Sequence, residues 1–130
     1  MDDILKRLTE KKHKLDSYRP LSSALVTNLA EWFKVELTYT SNAIEGNTLN
    51  RKETALVVEE GITVRGKTLK EHLEAINHAN AIDFIQGLVG KKRKDIRERD
   101  VLDIHAFILK KIDDENAGRY RNVAVRIRGA

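Results

Sequence analysis

Apolar residues recur along most of this chain at steps of three and four, the spacing that gathers them on one face of an α-helix. Ile4, Leu5, Leu8 and Leu15 give a thin stripe over residues 2–17. Tyr18-Arg19-Pro20 ends it, because proline disfavours helical backbone in the residue before it. A stronger stripe, Val26, Leu29, Phe33, Leu37, Thr40 and Ile44, predicts a second helix capped by Ser22 or Ser23 and stopped at Gly46. Trp32 and Tyr39 thicken that face, which is expected to be the buried one. Asn50 followed by Glu53 is a capping box and predicts a short helix over 51–60 closed by Gly61, although Ala55-Leu56-Val57-Val58 also fits a strand. Thr68 with Glu71 repeats the box and opens a helix over 69–88, striped at Leu69, Leu73 and Ile76. From Ala79 to Leu88 it is apolar on most sides, as a buried central helix would be. A last helix is expected over 98–113, with Val101, Ile104, Ile108 and Ile112 facing inward.

The period then changes. Ala117-Gly118 reads as a turn, and residues 122–128 alternate, with Val123, Val125 and Ile127 on one face and Ala124, Arg126 and Arg128 on the other. Alternation of this kind predicts a strand. It has no partner strand in the chain, so it reads as part of an incomplete hairpin. The expected fold is mostly α, one domain over residues 1–130, ending in a single β-strand.

Composition narrows the function more than the fold. The chain has 130 residues, room for one core. With 41% hydrophobic and 34% charged residues it suits a helix-rich globular domain, not a disordered one. It has no cysteine, which excludes disulfides, thiolate zinc sites and a cysteine nucleophile. The charged start, MDDILKRLTEKKHK, has no apolar signal core, and no apolar run reaches membrane-spanning length, so a cytoplasmic, membrane-free protein is expected. Net charge is +4, part of it in Lys91-Lys92-Arg93-Lys94 with Arg97 and Arg99 beyond. No aromatics interleave with that run, so it reads as a solvated loop before a helix and not as a nucleic-acid surface.

Two short patterns invite chemistry. Gly61-Ile-Thr-Val-Arg-Gly66-Lys67-Thr68 satisfies the phosphate-loop pattern, in which Lys67 would reach the outer phosphates and Thr68 would hold magnesium. The bulky middle of the loop, the helical character of what precedes it and the lack of strands for a parallel sheet weigh against it. His105-Ala-Phe107 reads HxF, but Ile108-Leu109-Lys110-Lys111 follow; His105 reads as a packed or capping histidine. His72 and His78 fall on different faces of one helix and His13 is distant in sequence, so no metal cluster is indicated.

Ser41-Asn-Ala-Ile-Glu45-Gly46 matches the inhibitory motif (S/T)xxxE(G/N), and its setting, Tyr39 through Leu49, resembles the corresponding helix end of Fic (Fido) proteins. Glu71-His-Leu-Glu-Ala-Ile-Asn-His-Ala79 resembles the family's next helix, and Gly118-Arg119-Tyr120-Arg121 with Val123, Val125 and Ile127 resembles the start of its flap hairpin. The resemblance covers residues 22–130. It implies a Fic-like helical bundle: an N-terminal helix over 1–20, the inhibitory helix over 22–46, scaffold helices over 51–113 and an incomplete flap over 118–130. The family transfers AMP from ATP and Mg2+ to a hydroxyl side chain of a target protein, using a signature HxFx(D/E)GNGRxxR. That signature is absent from this sequence. The resemblance therefore implies no catalytic, cofactor-binding or metal residue here, and a chain that is inactive alone. Ser41, Glu45 and Gly46 become the regulatory residues, and Val123, Val125 and Ile127 the flap residues that dock the target protein. The remainder of a Fic core becomes the partner, and a homo-oligomer stays open. A free-standing inhibitor acting in trans on another Fic core is an alternative reading, and a phosphate-loop protein is a second.

Overall fold

The computed structural model describes residues 2–89 and 96–129, which leaves the basic run at 91–94 outside the described residues. Five helices follow one another: α1 (Asp2–Asp16), α2 (Ser23–Ile44), α3 (Arg51–Glu60), α4 (Leu69–Val89) and α5 (Glu98–Leu109). Among the described residues no strand forms. Residues 1–32 make one compact unit and residues 33–130 another, with α2 beginning in the first and ending in the second.

In the first unit, α1 is supported by local contacts, including the Lys12–Asp16 ion pair one turn apart. Its leucines and isoleucine are exposed. Ser22 caps α2: its hydroxyl accepts the Leu25 N–H and its carbonyl the Val26 N–H.

The second unit is built around Leu49, Val57 and Ala75, with Val58 and Val64 against them. The Asn50–Glu53 box is fully formed, and α3 ends on Gly61 in the left-handed region at φ +65°. That settles the helix-or-strand ambiguity of residues 55–58 in favour of helix. Against α5, the Phe84 and Phe107 rings of α4 and α5 sit 5.1 Å apart. Buried Asn77 of α4 donates to the Ile108 and Lys110 carbonyls at 3.0 and 2.7 Å, occupying carbonyls that the end of α5 leaves without a helical partner.

Three expectations need correction. The apolar stripe of α2 is its exposed face: Val26, Leu29, Phe33, Leu37 and Ile44 all face outward, with Leu37 47% and Ile44 83% exposed. The covered face is the other one, Val35 and Thr38 with half-buried Lys34, Ser41 and Asn42. It is turned to α4, where Lys34 pairs with Asp83 and Thr38 with His78. Second, the later half of α4 is not covered all round, since Ile85 and Val89 are exposed. Third, α5 stops at Leu109, four residues before the expected 113, because Lys110 leaves helical backbone at ψ 125° and Lys111 follows in the left-handed region at φ +59°. Its Val101 is exposed, not inward. Residues 122–128 show no strand here; an alternating segment becomes one only when another backbone completes its hydrogen bonds.

Candidate functional site

The end of α2 is closed by local geometry. Asn47 N–H reaches back to the Asn42 carbonyl at 2.9 Å and Gly46 N–H to the Ala43 carbonyl at 3.1 Å, a Schellman closure. It requires Gly46 at φ +93°, where a side chain would strain the backbone. Ser41 is half-buried one turn before Glu45. Glu45 itself is exposed, and its carboxylate has no hydrogen bond or ion pair among the described residues. The structure thus brings Ser41, Glu45 and Gly46 to one helix end, with the acid presented outward.

The residues just after the turn are fastened to the start of α4. Asn47, buried, donates to the Glu71 carbonyl at 3.1 Å and to Glu74 Oε2 at 2.9 Å, and its own side-chain oxygen accepts the Leu49 N–H. Thr48 donates to Glu71 Oε1 twice, from N–H at 2.9 Å and from its hydroxyl at 2.6 Å. Glu71 Oε2 accepts the Thr68 N–H at 2.8 Å and the Thr68 hydroxyl at 3.0 Å. Four neutral donors on one carboxylate, the Thr48 hydroxyl foremost, hold its pKa down at about 2. Lys67 Nζ donates to the Thr48 carbonyl at 2.6 Å and to its hydroxyl at 3.0 Å, and lies 3.7 Å from Glu53.

These contacts weigh against the phosphate loop. Its lysine is spent on Thr48, its threonine caps α4, and the Glu71 carboxylate sits where the helix N-terminus would otherwise meet an anion. The Val64 N–H, in the loop's middle, donates to His72 Nε2 at 2.8 Å, so the His72 ring proton lies on Nδ1 and donates to the Thr68 carbonyl at 2.7 Å. Among the described residues no group of three metal-binding side chains converges.

His105 is a capping histidine: Gly118 N–H donates to its Nδ1 at 3.1 Å. Gly118, at φ +68°, lies so close to α5 that a Cβ would come within 3.1 Å of the Ala106 methyl. From that turn the chain runs into Arg119-Tyr120-Arg121, where the Glu98 carboxylate raises the Tyr120 hydroxyl above the usual phenol range. Val123, Val125 and Ile127 are exposed and are not brought to the Glu45 turn by any contact seen here.

Sequence reasoning included Asn47, Thr48 and Glu74 in the stretches that carry the resemblance but gave them no role, and saw only half of Glu71. The Thr68–Glu71 capping box marked that carboxylate, but its second set of donors comes from 23 residues upstream.

The fold and this site define a class: an all-helical scaffold whose longest helix ends on a pinned turn with a free, outward carboxylate. No family model matches the chain. The chain is 32% identical over 123 residues to the protein adenylyltransferase Fic of Nematostella vectensis, covering 95% of this chain and 29% of that protein. It is 36% identical over 90 residues to the protein adenylyltransferase fic-1 of Caenorhabditis elegans, covering 68% of this chain and 18% of that one. A solved fragment of C. elegans Fic-1 superposes with a TM-score of 0.79 at 30% identity, over 94% of this chain and 38% of that fragment. A glutamate-to-glycine variant of the same fragment gives 0.78 at 31%. The chain belongs to the Fic family, and it spans less than a third of the length of the two adenylyltransferases named here. No described helix is long and apolar enough to cross a membrane.

Proposed function

We propose that this chain is the inhibitory and scaffold segment of a Fic-type protein adenylyltransferase, with Glu45 restraining AMP transfer from ATP and magnesium to a hydroxyl side chain of a target protein. The observation that carries the reading is the contrast at the α2 end. The Glu45 backbone is fixed by the closure on Asn42 and Ala43, while its carboxylate has no partner among the described residues. A carboxylate and a phosphate both accept paired hydrogen bonds from a guanidinium. A pinned glutamate can therefore hold an arginine of the catalytic core that would otherwise orient the γ-phosphate. Ser41, half-buried one turn back, is the second side chain of the motif and makes no hydrogen bond to Glu45 here. The signature histidine and Gly-Asn-Gly-Arg stretch are absent from this sequence, so the core that carries them is the partner. The exposed apolar stripe of α2, Phe33 through Ile44, is the surface that core would cover. Val123, Val125 and Ile127 would complete a flap that docks the target by pairing backbone with backbone.

The test is AMP transfer by the longer protein to which this segment is proposed to belong. Glu45→Gly should raise transfer about tenfold or more, the weight of a charge-assisted pair. Equal transfer by wild type and Glu45→Gly, both folded and with ATP saturating, would leave Glu45 as a surface acid.

A further inference from the structure

The Glu45 turn is fixed on one side by α2 and on the other through Asn47 and Thr48, which are held by Glu71, Glu74 and Lys67. We infer that Glu71 is a positioning residue for the inhibitory turn, coupling it to the start of α4 through Thr48. This rests on the regulatory reading of Glu45.

Glu71 divides its two oxygens between two segments. Oε1 takes both Thr48 donors and Oε2 takes both Thr68 donors. Thr48 lies three residues after Glu45, and the one residue of that stretch with a left-handed backbone is Gly46. The direction in which Glu45 points therefore depends on where Thr48 is held. Lys67 closes the other side of Thr48 through its carbonyl and hydroxyl. Asn47 adds two bonds to the same helix, through the Glu71 carbonyl and the Glu74 carboxylate. No contact of this clamp touches Glu45, so loosening it leaves the inhibitory carboxylate chemically intact and only mispositions it.

Glu71→Gln is the discriminating change. A glutamine has one acceptor oxygen and one amino group. The oxygen can keep the Thr48 pair or the Thr68 pair, while the amino group meets a backbone N–H that it cannot bond and a hydroxyl that must turn round to accept. Either the turn is released or α4 loses its cap. Thr48→Val is the second variant: it keeps the shape and removes the hydroxyl bonds to Glu71 and from Lys67.

Three measurements test the inference. In the longer protein, Glu71→Gln and Thr48→Val should each raise AMP transfer several-fold. Combined with Glu45→Gly, neither should add anything, because a residue that acts through Glu45 has nothing left to act on. In the 130-residue chain, Glu71→Gln should speed hydrogen exchange of the Thr48 amide. A folded Glu71→Gln that transfers AMP as slowly as wild type, while Glu45→Gly is activated, overturns the inference and leaves the regulatory reading standing. So does a double variant that clearly exceeds Glu45→Gly, since Glu71 would then act on something else. An unactivated Glu45→Gly sinks the regulatory reading, and the inference with it.

Discussion

At the scale of single residues, Glu71 and His78 respond to acid in different windows. Burial lowers the His78 pKa below its usual 6.5, so the fold prefers the ring neutral, hydrogen-bonded to fully buried Thr38. The unfolded chain takes up that proton first, so the stability His78 contributes is present above about pH 6.5 and is lost as pH falls below it. Glu71 is held near pKa 2 against an ordinary 4.5. Its contribution is complete above about pH 4.5 and is lost between there and about pH 2. Melting temperature against pH should therefore fall in two stages, with Glu71→Gln removing the lower stage and His78→Gln the upper. A single fall that neither substitution alters would contradict both assignments. How legible these residues were follows from distance along the chain. The Asn50–Glu53 and Thr68–Glu71 boxes each span three residues and could be read directly, as could the Gly46 stop. The bonds from Thr48 to Glu71 and from Thr38 to His78 span 23 and 40 residues, and no local pattern encodes them.

At the scale of elements, α2 shows what periodicity does and does not determine. The spacing of Phe33, Leu37 and Ile44 identified the apolar face correctly, but not what covers it. The face turned to α4 is the more polar one, tied by Lys34–Asp83 and Thr38–His78. The resemblance placed Glu45 at a helix end, and the helix end is there; the buried side of that helix had to come from its neighbours. The alternating tail poses the same problem in another form, since a strand is a property of two segments. The energetic consequence is measurable in the 130-residue chain. Leu49, 4% exposed in the core with Val57 and Ala75, should cost about 2–5 kcal/mol on truncation to alanine. Leu37, 47% exposed, should cost no more than about 0.5 kcal/mol. Denaturant unfolding of both variants decides it, and a Leu37→Ala loss as large as that of Leu49→Ala would mean that the α2 stripe is covered within this chain.

At the scale of the whole molecule, the phosphate-loop pattern makes a demand on Lys67 that the structure does not meet, because that side chain is already committed. A phosphate-loop lysine must be free to reach a ligand. Here Nζ donates to the Thr48 carbonyl and hydroxyl and lies beside Glu53, which in turn caps α3. Lys67 therefore joins three segments: the stretch after the Glu45 turn, the first turn of α3 and the loop before α4. Hydrogen bonds from a charged donor contribute about 1.5–3 kcal/mol, so Lys67→Ala should lower the melting temperature clearly. It should leave the affinity of the 130-residue chain for ATP where it was, because the Lys67 ammonium is already committed to Thr48 and Glu53. Calorimetry with ATP and magnesium on wild type and variant, beside thermal melts of both, separates the two roles. Tight ATP binding by wild type that disappears in Lys67→Ala, with the melt unchanged, would make Lys67 a phosphate ligand after all. A lowered melt with no change in nucleotide affinity would fix it as the tie that holds the loop before α4 to the turn that presents Glu45.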